Sequence, residues 1–249
     1  MRFFKKIIKF AFMLSFVITL GVIGLYFYAI SLPKIDINNI NNITIYDNKN
    51  EIVFNGNGSK EWISIDEISN YLIDATISTE DKRFYNHPGF DFFRIAKSIY
   101  INISNKSLSE GASTITQQLA RNLFSNFDKT WERKLKEAWY AFRLEIDYSK
   151  DEILEAYLNT INYGNGVLGI ENASYYYFNK SAKDLTLSEA SMLAGIPQSP
   201  SNYSPLVNLE LAKKRQKVVL SSMVSNGDIS KEDMNRAYNT NLDYVGRIN

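Results

Sequence analysis

Cysteine is absent from the 249 residues, and histidine occurs once, at His87. Disulfides, a thiolate nucleophile and a cysteine metal site are therefore excluded, and a histidine-rich metal centre goes with them. A hard divalent cation such as Mg2+ held on carboxylates stays open as a cofactor, although no dense Asp/Asn loop supports it. Net charge is also nearly absent. The formal value is +1, and Arg2, Lys5, Lys6 and Lys9, which precede every acidic residue, more than account for it. The rest of the chain is weakly acidic, so nucleic acid is not expected as a partner. Internal repeats and low-complexity linkers are lacking, as are the G-x-S-x-G and H-E-x-x-H patterns of serine hydrolases and zinc proteases. The one S-x-x-K match, Ser31-Leu32-Pro33-Lys34, contains a proline and cannot form a helical Ser/Lys pair.

What is present begins with an uncharged run from Phe10 to Leu32. At about 1.5 Å per residue it is long enough to cross a hydrocarbon core of roughly 30 Å, so a transmembrane helix is expected over 10–32. A cleaved signal peptide is the rival reading. Its apolar region is usually shorter and ends in small residues, whereas this run ends in Tyr26-Phe27-Tyr28 and Ser31-Leu32-Pro33. The basic segment 1–9, against only Lys34 just beyond the run, favours a cytoplasmic N-terminus with the remainder outside the cytoplasmic membrane.

Beyond the anchor, 33–63 reads as a linker with a small β-hairpin, Ile43 to Tyr46 and Glu51 to Phe54 flanking Asp47-Asn48-Lys49-Asn50. From 64 to 249 helical periodicity takes over, and the domain is expected to be mainly α. Ile65, Ile68, Leu72, Ile73 and Ile77 form one series; Leu135, Ala138, Trp139, Phe142 and Ile146 form another. The loop Asn162 to Gly169 holds three glycines but follows a helix, so it is a turn and not a nucleotide-binding loop.

Two segments concentrate polar chemistry. In Glu80-Asp81-Lys82-Arg83-Phe84-Tyr85-Asn86-His87-Pro88-Gly89-Phe90-Asp91, Glu80 is either a charged helix end or a carboxylate among aromatics, a setting that makes it a better general base. His87 in its turn reads as a structural hydrogen-bonder. In Gly111 to Asn122, Thr114 and Gln117 match a capping box, and the same helix start offers N–H groups to an anion. Ser113, Thr116 and Gln118 add more donors than a cap requires. Further on, Glu137 stands one turn after Arg133 and Lys134. That spacing allows an ion pair on one helix, or a second acid beside a cation cluster that draws on Arg121 and Lys129, and it does not choose between them.

Together these segments, with Arg133-Lys134…Glu137, Ile153-Leu154-Glu155…Tyr157-Leu158-Asn159…Gly164…Gly169-Ile170 and Leu187-Ser188-Glu189-Ala190…Leu193-Ala194-Gly195, resemble the family 51 glycosyltransferases. These are peptidoglycan polymerases that occur alone or as the N-terminal half of class A penicillin-binding proteins. The resemblance implies a lysozyme-like, mostly α domain that joins lipid II units into β-1,4-linked glycan with inversion and release of undecaprenyl diphosphate. Glu80 matches the general base and Glu137 the second essential acid. Asp81, Phe84, His87, Ser113, Thr114, Gln117, Gln118, Arg121, Asn122, Lys129, Arg133 and Lys134 match substrate-binding positions. The implied partners are lipid II, the growing lipid-linked glycan, the bilayer, and cell-wall synthesis or division proteins. In the family, the region that holds Phe92, Phe93, Ile95, Ile99, Tyr100, Ile101 and Ile103 here lies against the membrane.

The chain departs from the family pattern at Arg121, where Lys is commoner, at Asn172 and Ser191, where Ala is usual, and at Asn179, where Gly is usual. Asn tolerates the left-handed conformation well enough for the turn at 179 to survive. No S-x-x-K follows the motifs, so no transpeptidase is expected within these residues; the alternative is the N-terminal part of a bifunctional protein. Two other classes compete: a lysozyme-like hydrolase, which has no need of a diphosphate site, and a non-catalytic scaffold, which has no need of either glutamate.

Overall fold

The computed structural model describes residues 2–37, 42–46, 52–57, 62–105, 111–124 and 131–245. It divides into two units, Met1–Ile35 and Asp36–Asn249. The first is one helix, α1 (Arg2–Ser31), of which Phe4–Ser31 is long and apolar enough to cross a membrane. The helix extends back through the basic residues before Phe10, because Lys and Arg are good helix formers.

In the second unit, β1 (Asn42–Tyr46) pairs antiparallel with β2 (Ile52–Asn57), from Asn42 opposite Asn57 to Tyr46 opposite Ile52. The expected turn at 47–50 lies outside the described residues. Among the described residues after 62 the named elements are helical, α2 (Asn70–Glu80), α3 (Phe92–Asn105), α4 (Ile115–Phe124), α5 (Trp131–Asp147), α6 (Lys150–Thr160), α7 (Ile170–Phe178), α8 (Leu187–Gly195), α9 (Pro200–Tyr203), α10 (Leu209–Asn226) and α11 (Lys231–Asn239), with short 3-10 turns between and one isolated antiparallel bridge from Asn162 to Leu168.

Local chemistry sets many of these boundaries. Ser149 with Glu152, Thr186 with Glu189 and Ser230 with Asp233 form reciprocal capping boxes that start α6, α8 and α11. Asn179 closes α7 in the left-handed region at φ 54°, as its tolerance of that conformation predicts.

Two groups of helices make the core. In one, α2, α8 and α10 pack together through Leu72, Ala75, Ala190, Leu193, Val219 and Met223, all buried. In the other, α4 packs against α5 and α6, burying Leu119, Ala120, Ala141, Leu144, Leu154 and Leu158. Each fully buried leucine supplies about 1.5–3 kcal/mol. The segment before α2 is tied to α6 by polar groups: Glu155 accepts from the Trp62 indole at 2.7 Å and from the Ile65 N–H at 2.9 Å, while Asn159 accepts from the Ile63 N–H at 3.1 Å. Small residues on α8 permit close approach by α10; a Cβ added at Gly195 would meet Arg215 Cγ at 2.9 Å.

Candidate active site

The last residue of α2 is Glu80, and it is buried. Its backbone carbonyl accepts from Arg94 of α3. One carboxylate oxygen, Oε2, accepts from Gln118 Nε2 of α4 at 2.9 Å, and the other, Oε1, lies 3.3 Å from Arg215 Nη2 of α10. Three helices distant in sequence therefore converge on this residue. The hydrogen-bonding partners of the carboxylate among the described residues are thus an amide and a guanidinium. Phe84, one of the aromatics expected near it, is fully buried, with Lys150 Nζ 4.4 Å above its ring.

Gln118 is itself fixed, since its Oε1 accepts from the buried Tyr157 hydroxyl at 3.2 Å. Burial, and after it the charge of Glu80, raises the ionisation of Tyr157 well above that of an ordinary tyrosine, and the phenol stays a donor. Arg215 also donates from Nε to the Gly195 carbonyl at 3.4 Å and lies over the Tyr203 ring at 6.0 Å. Desolvation by burial lowers its pKa, against the charge of Glu80, which raises it. Arg215 is the one residue at this carboxylate that sequence reading missed. It sits in a run of lysines on α10, with no motif spacing to set it apart.

Asp81, fully buried, is the next node. It accepts from His87 Nε2 at 2.9 and 3.0 Å and from the Ile115 N–H at 3.1 Å, which joins the end of α2 to the start of α4. The reading of His87 as a structural hydrogen-bonder fits this contact. Thr114 and Gln117 complete the cap: Gln117 N–H donates to Thr114 Oγ1 at 3.1 Å, Thr114 N–H donates to Gln117 Oε1 at 3.1 Å, and Thr114 Oγ1 donates to the Gly89 carbonyl at 2.7 Å. Both side chains are thus engaged in structure, and Gln118, one residue on, is the amide that reaches Glu80.

Asp91 precedes α3 and accepts from the Arg94 N–H at 2.7 Å, from Arg83 Nε at 3.0 Å and from Arg83 Nη2. Burial opposes its charge, but the hydrogen bonds from Arg83 and Arg94 and the charges of Arg83 and His87 outweigh that and hold its carboxyl below the ordinary range. Asp81, His87 and Asp91 bring one ligand atom each within 4.8 Å of one another, the only such group among the described residues. A hard cation there would have to displace Arg83 from Asp91 and His87 from Asp81. The cluster fits a hydrogen-bonded, ion-paired node better than Mg2+.

A second polar group lies on α5. Glu137, 1% exposed, pairs with Lys134 of its own helix, and Lys134 Nζ also reaches Ser113 Oγ at 3.5 Å. The ion pair that the sequence spacing allowed is therefore present, and so is a cation between the two motifs. Arg133 is half-buried on α5; Arg121 and Asn122 lie on α4, half-buried and exposed respectively. Arg121 is close enough to Tyr157 to act on its ionisation. Lys129 lies outside the described residues.

The chain is similar to penicillin-binding protein 2D of Bacillus subtilis, at 49% identity over 74% of this chain and 26% of that protein. It is similar to penicillin-binding protein 1A of Neisseria lactamica at 39% identity over 96% of this chain and 31% of that one. Among solved structures, penicillin-binding protein 1A from Haemophilus influenzae aligns at 24% identity and a TM-score of 0.46, over 81% of this chain and 20% of that chain. The chain thus spans about a quarter to a third of the length of the curated relatives it matches. The transglycosylase family model matches residues 48–224, which include Glu80, the Asp81 node, Glu137 and Arg215, and the chain belongs to the transglycosylase family.

Proposed function

We propose that this chain is a peptidoglycan glycosyltransferase that polymerises lipid II into β-1,4-linked glycan with inversion, releasing undecaprenyl diphosphate. Its helical domain works on the outer face of the cytoplasmic membrane, and α1 is the anchor. Family membership supports the reaction class. The observation that carries the chemistry is Glu80: a buried carboxylate at a helix end, held on one oxygen by Gln118 and on the other by Arg215.

In this reading Glu80 takes the proton of the acceptor sugar 4-hydroxyl as that oxygen attacks the donor anomeric carbon. The new C–O bond forms on the face opposite the leaving group, the bond to the diphosphate breaks, and the electron pair leaves on the phosphate oxygen. Charge develops there and needs donors in place beforehand. Ser113, Arg121, Arg133 and Lys134 supply hydroxyl and cationic groups of the right kind, with Lys129 beside them in sequence. Glu137, paired with Lys134, orients that cation. Arg215 acts through Glu80, fixing its direction, and is a positioning residue.

Purified full-length protein in detergent, given lipid II, should produce lengthening lipid-linked glycan and undecaprenyl diphosphate. Glu80→Gln keeps the size and accepting oxygen of the side chain but cannot take the proton, so the rate should fall by about 10² to 10⁴ with the fold retained. Shortening of preformed glycan by the wild type would make the chain a hydrolase, and no change in either substrate would make it a scaffold. Undiminished polymerisation by Glu80→Gln would remove the base.

A further inference from the structure

Helix α6 carries Glu155, Tyr157 and Asn159 at two-residue spacing. Glu155 and Asn159 are four residues apart and share a face, and that face holds the segment before α2 through Trp62, Ile63 and Ile65. Tyr157 lies two residues from each, about 200° around the helix, and so reaches the other way, to α4. It is fully buried. Its hydroxyl makes one hydrogen bond among the described residues, to Gln118 Oε1 at 3.2 Å.

The oxygen and the nitrogen of a glutamine amide are nearly the same size, so packing does not choose which of them faces Glu80. Hydrogen-bond chemistry does. An ionised carboxylate only accepts, and Gln118 meets Glu80 Oε2 through Nε2 at 2.9 Å. Turned over, the amide would set its oxygen against the carboxylate and its NH2 against the phenol, whose hydrogen would then have no acceptor among the described residues. An unpaired buried donor is costly. Tyr157 does not escape by losing that hydrogen, because burial, and after it the charge of Glu80, raises its ionisation well above the ordinary range. A fixed donor at one end of the amide thus fixes a donor at the other. Gln118 itself is half-buried, so without the hydroxyl water would serve either orientation.

We propose that Tyr157 is a positioning residue for the reaction: it locks the Gln118 amide with Nε2 toward Glu80 and so holds the direction of the carboxylate that takes the proton. The proposal rests on the reading of Glu80 as the general base. Fully buried, Tyr157 acts through Gln118 and not on the substrate.

Two double-mutant cycles on the full-length protein in detergent test this. Tyr157→Phe removes the hydroxyl and keeps the ring, while Gln118→Leu removes the amide and keeps its branched shape. With lipid II as substrate, Tyr157→Phe should lower kcat about tenfold and leave KM within about twofold, because direction is lost and substrate contacts are not. In the Gln118→Leu background the same change should leave kcat where it was, since the two residues act as one unit. Thermal unfolding gives the second cycle and needs no turnover. Tyr157→Phe alone should lower Tm by about 2–4 °C, the shift for one lost hydrogen bond in a domain of this size. With Gln118→Leu already present it should not lower Tm, because the hydroxyl has no acceptor left to lose. An unchanged kcat in Tyr157→Phe, or an equal loss of kcat or of Tm in both backgrounds, would overturn the proposal and leave Tyr157 a packing residue. A raised KM with kcat kept would overturn it as well and place the phenol at the substrate. Failure of the wild type to polymerise lipid II would remove the general-base reading instead, and the unfolding cycle would still decide whether Tyr157 sets Gln118.

Discussion

Glu80 and Glu137 are both buried acids, but their partners come from very different places. Glu80 is held by Gln118 and Arg215, which are 38 and 135 residues away along the chain. Glu137 is held by Lys134, three residues back on its own helix, and that lysine is largely exposed. A carboxylate oriented by packed helices keeps one direction as long as the core is intact. A carboxylate paired within its own helix keeps a partner that can swing toward an arriving anion. In the proposed reaction the first arrangement suits a base that must meet one hydroxyl, and the second a cation that must follow a diphosphate.

The largest effect should come from removing the long-range partner. Arg215→Met preserves much of the apolar stem and leaves Glu80 without its cation, so kcat should fall by about a hundredfold while KM moves little. Arg215→Lys should recover part of the loss. Equal changes in kcat and KM would place Arg215 on the substrate instead. Lys134→Met should cost about tenfold, most of it in KM, because one charge-assisted contact to the substrate is lost; a drop confined to kcat would erase the distinction between the two acids. The smallest change is Gly195→Ala. Its new methyl would stand 2.9 Å from Arg215 Cγ, so it should cost about 1–3 kcal/mol of stability and lower kcat only severalfold. Thermal unfolding and the polymerisation assay read the two consequences separately, and full activity at lowered stability would show that Arg215 tolerates displacement.

Much of the local structure was legible from residue types alone. The capping box at Thr114 and Gln117 follows from spacing, Asn179 is a residue able to take the left-handed end of α7, and an ion pair to Glu137 was one of two readings that its spacing allowed. Each depends only on neighbours in the chain. What was not legible needed a tertiary coordinate. Gln117 and Gln118 are alike in composition but about 100° apart around α4; which of them meets Glu80 depends on how α4 packs against α5 and α6. Arg215 is one basic residue in Lys213-Lys214-Arg215-Gln216-Lys217. It lies inward where α8 approaches α10, donating to the Gly195 carbonyl and to Glu80.

Asp81 has a consequence for how tolerant the molecule is to change. Its one carboxylate is shared between an imidazole and the first N–H of α4, so it works as a pivot pin that sets the rotation of α4 relative to the end of α2. Gln118 lies one turn along from that pin and carries the setting to Glu80. Between Asp81 and Gln118, a small displacement of the described residues is therefore passed to Glu80 through Gln118, apart from the separate hold that Arg215 keeps on the same carboxylate.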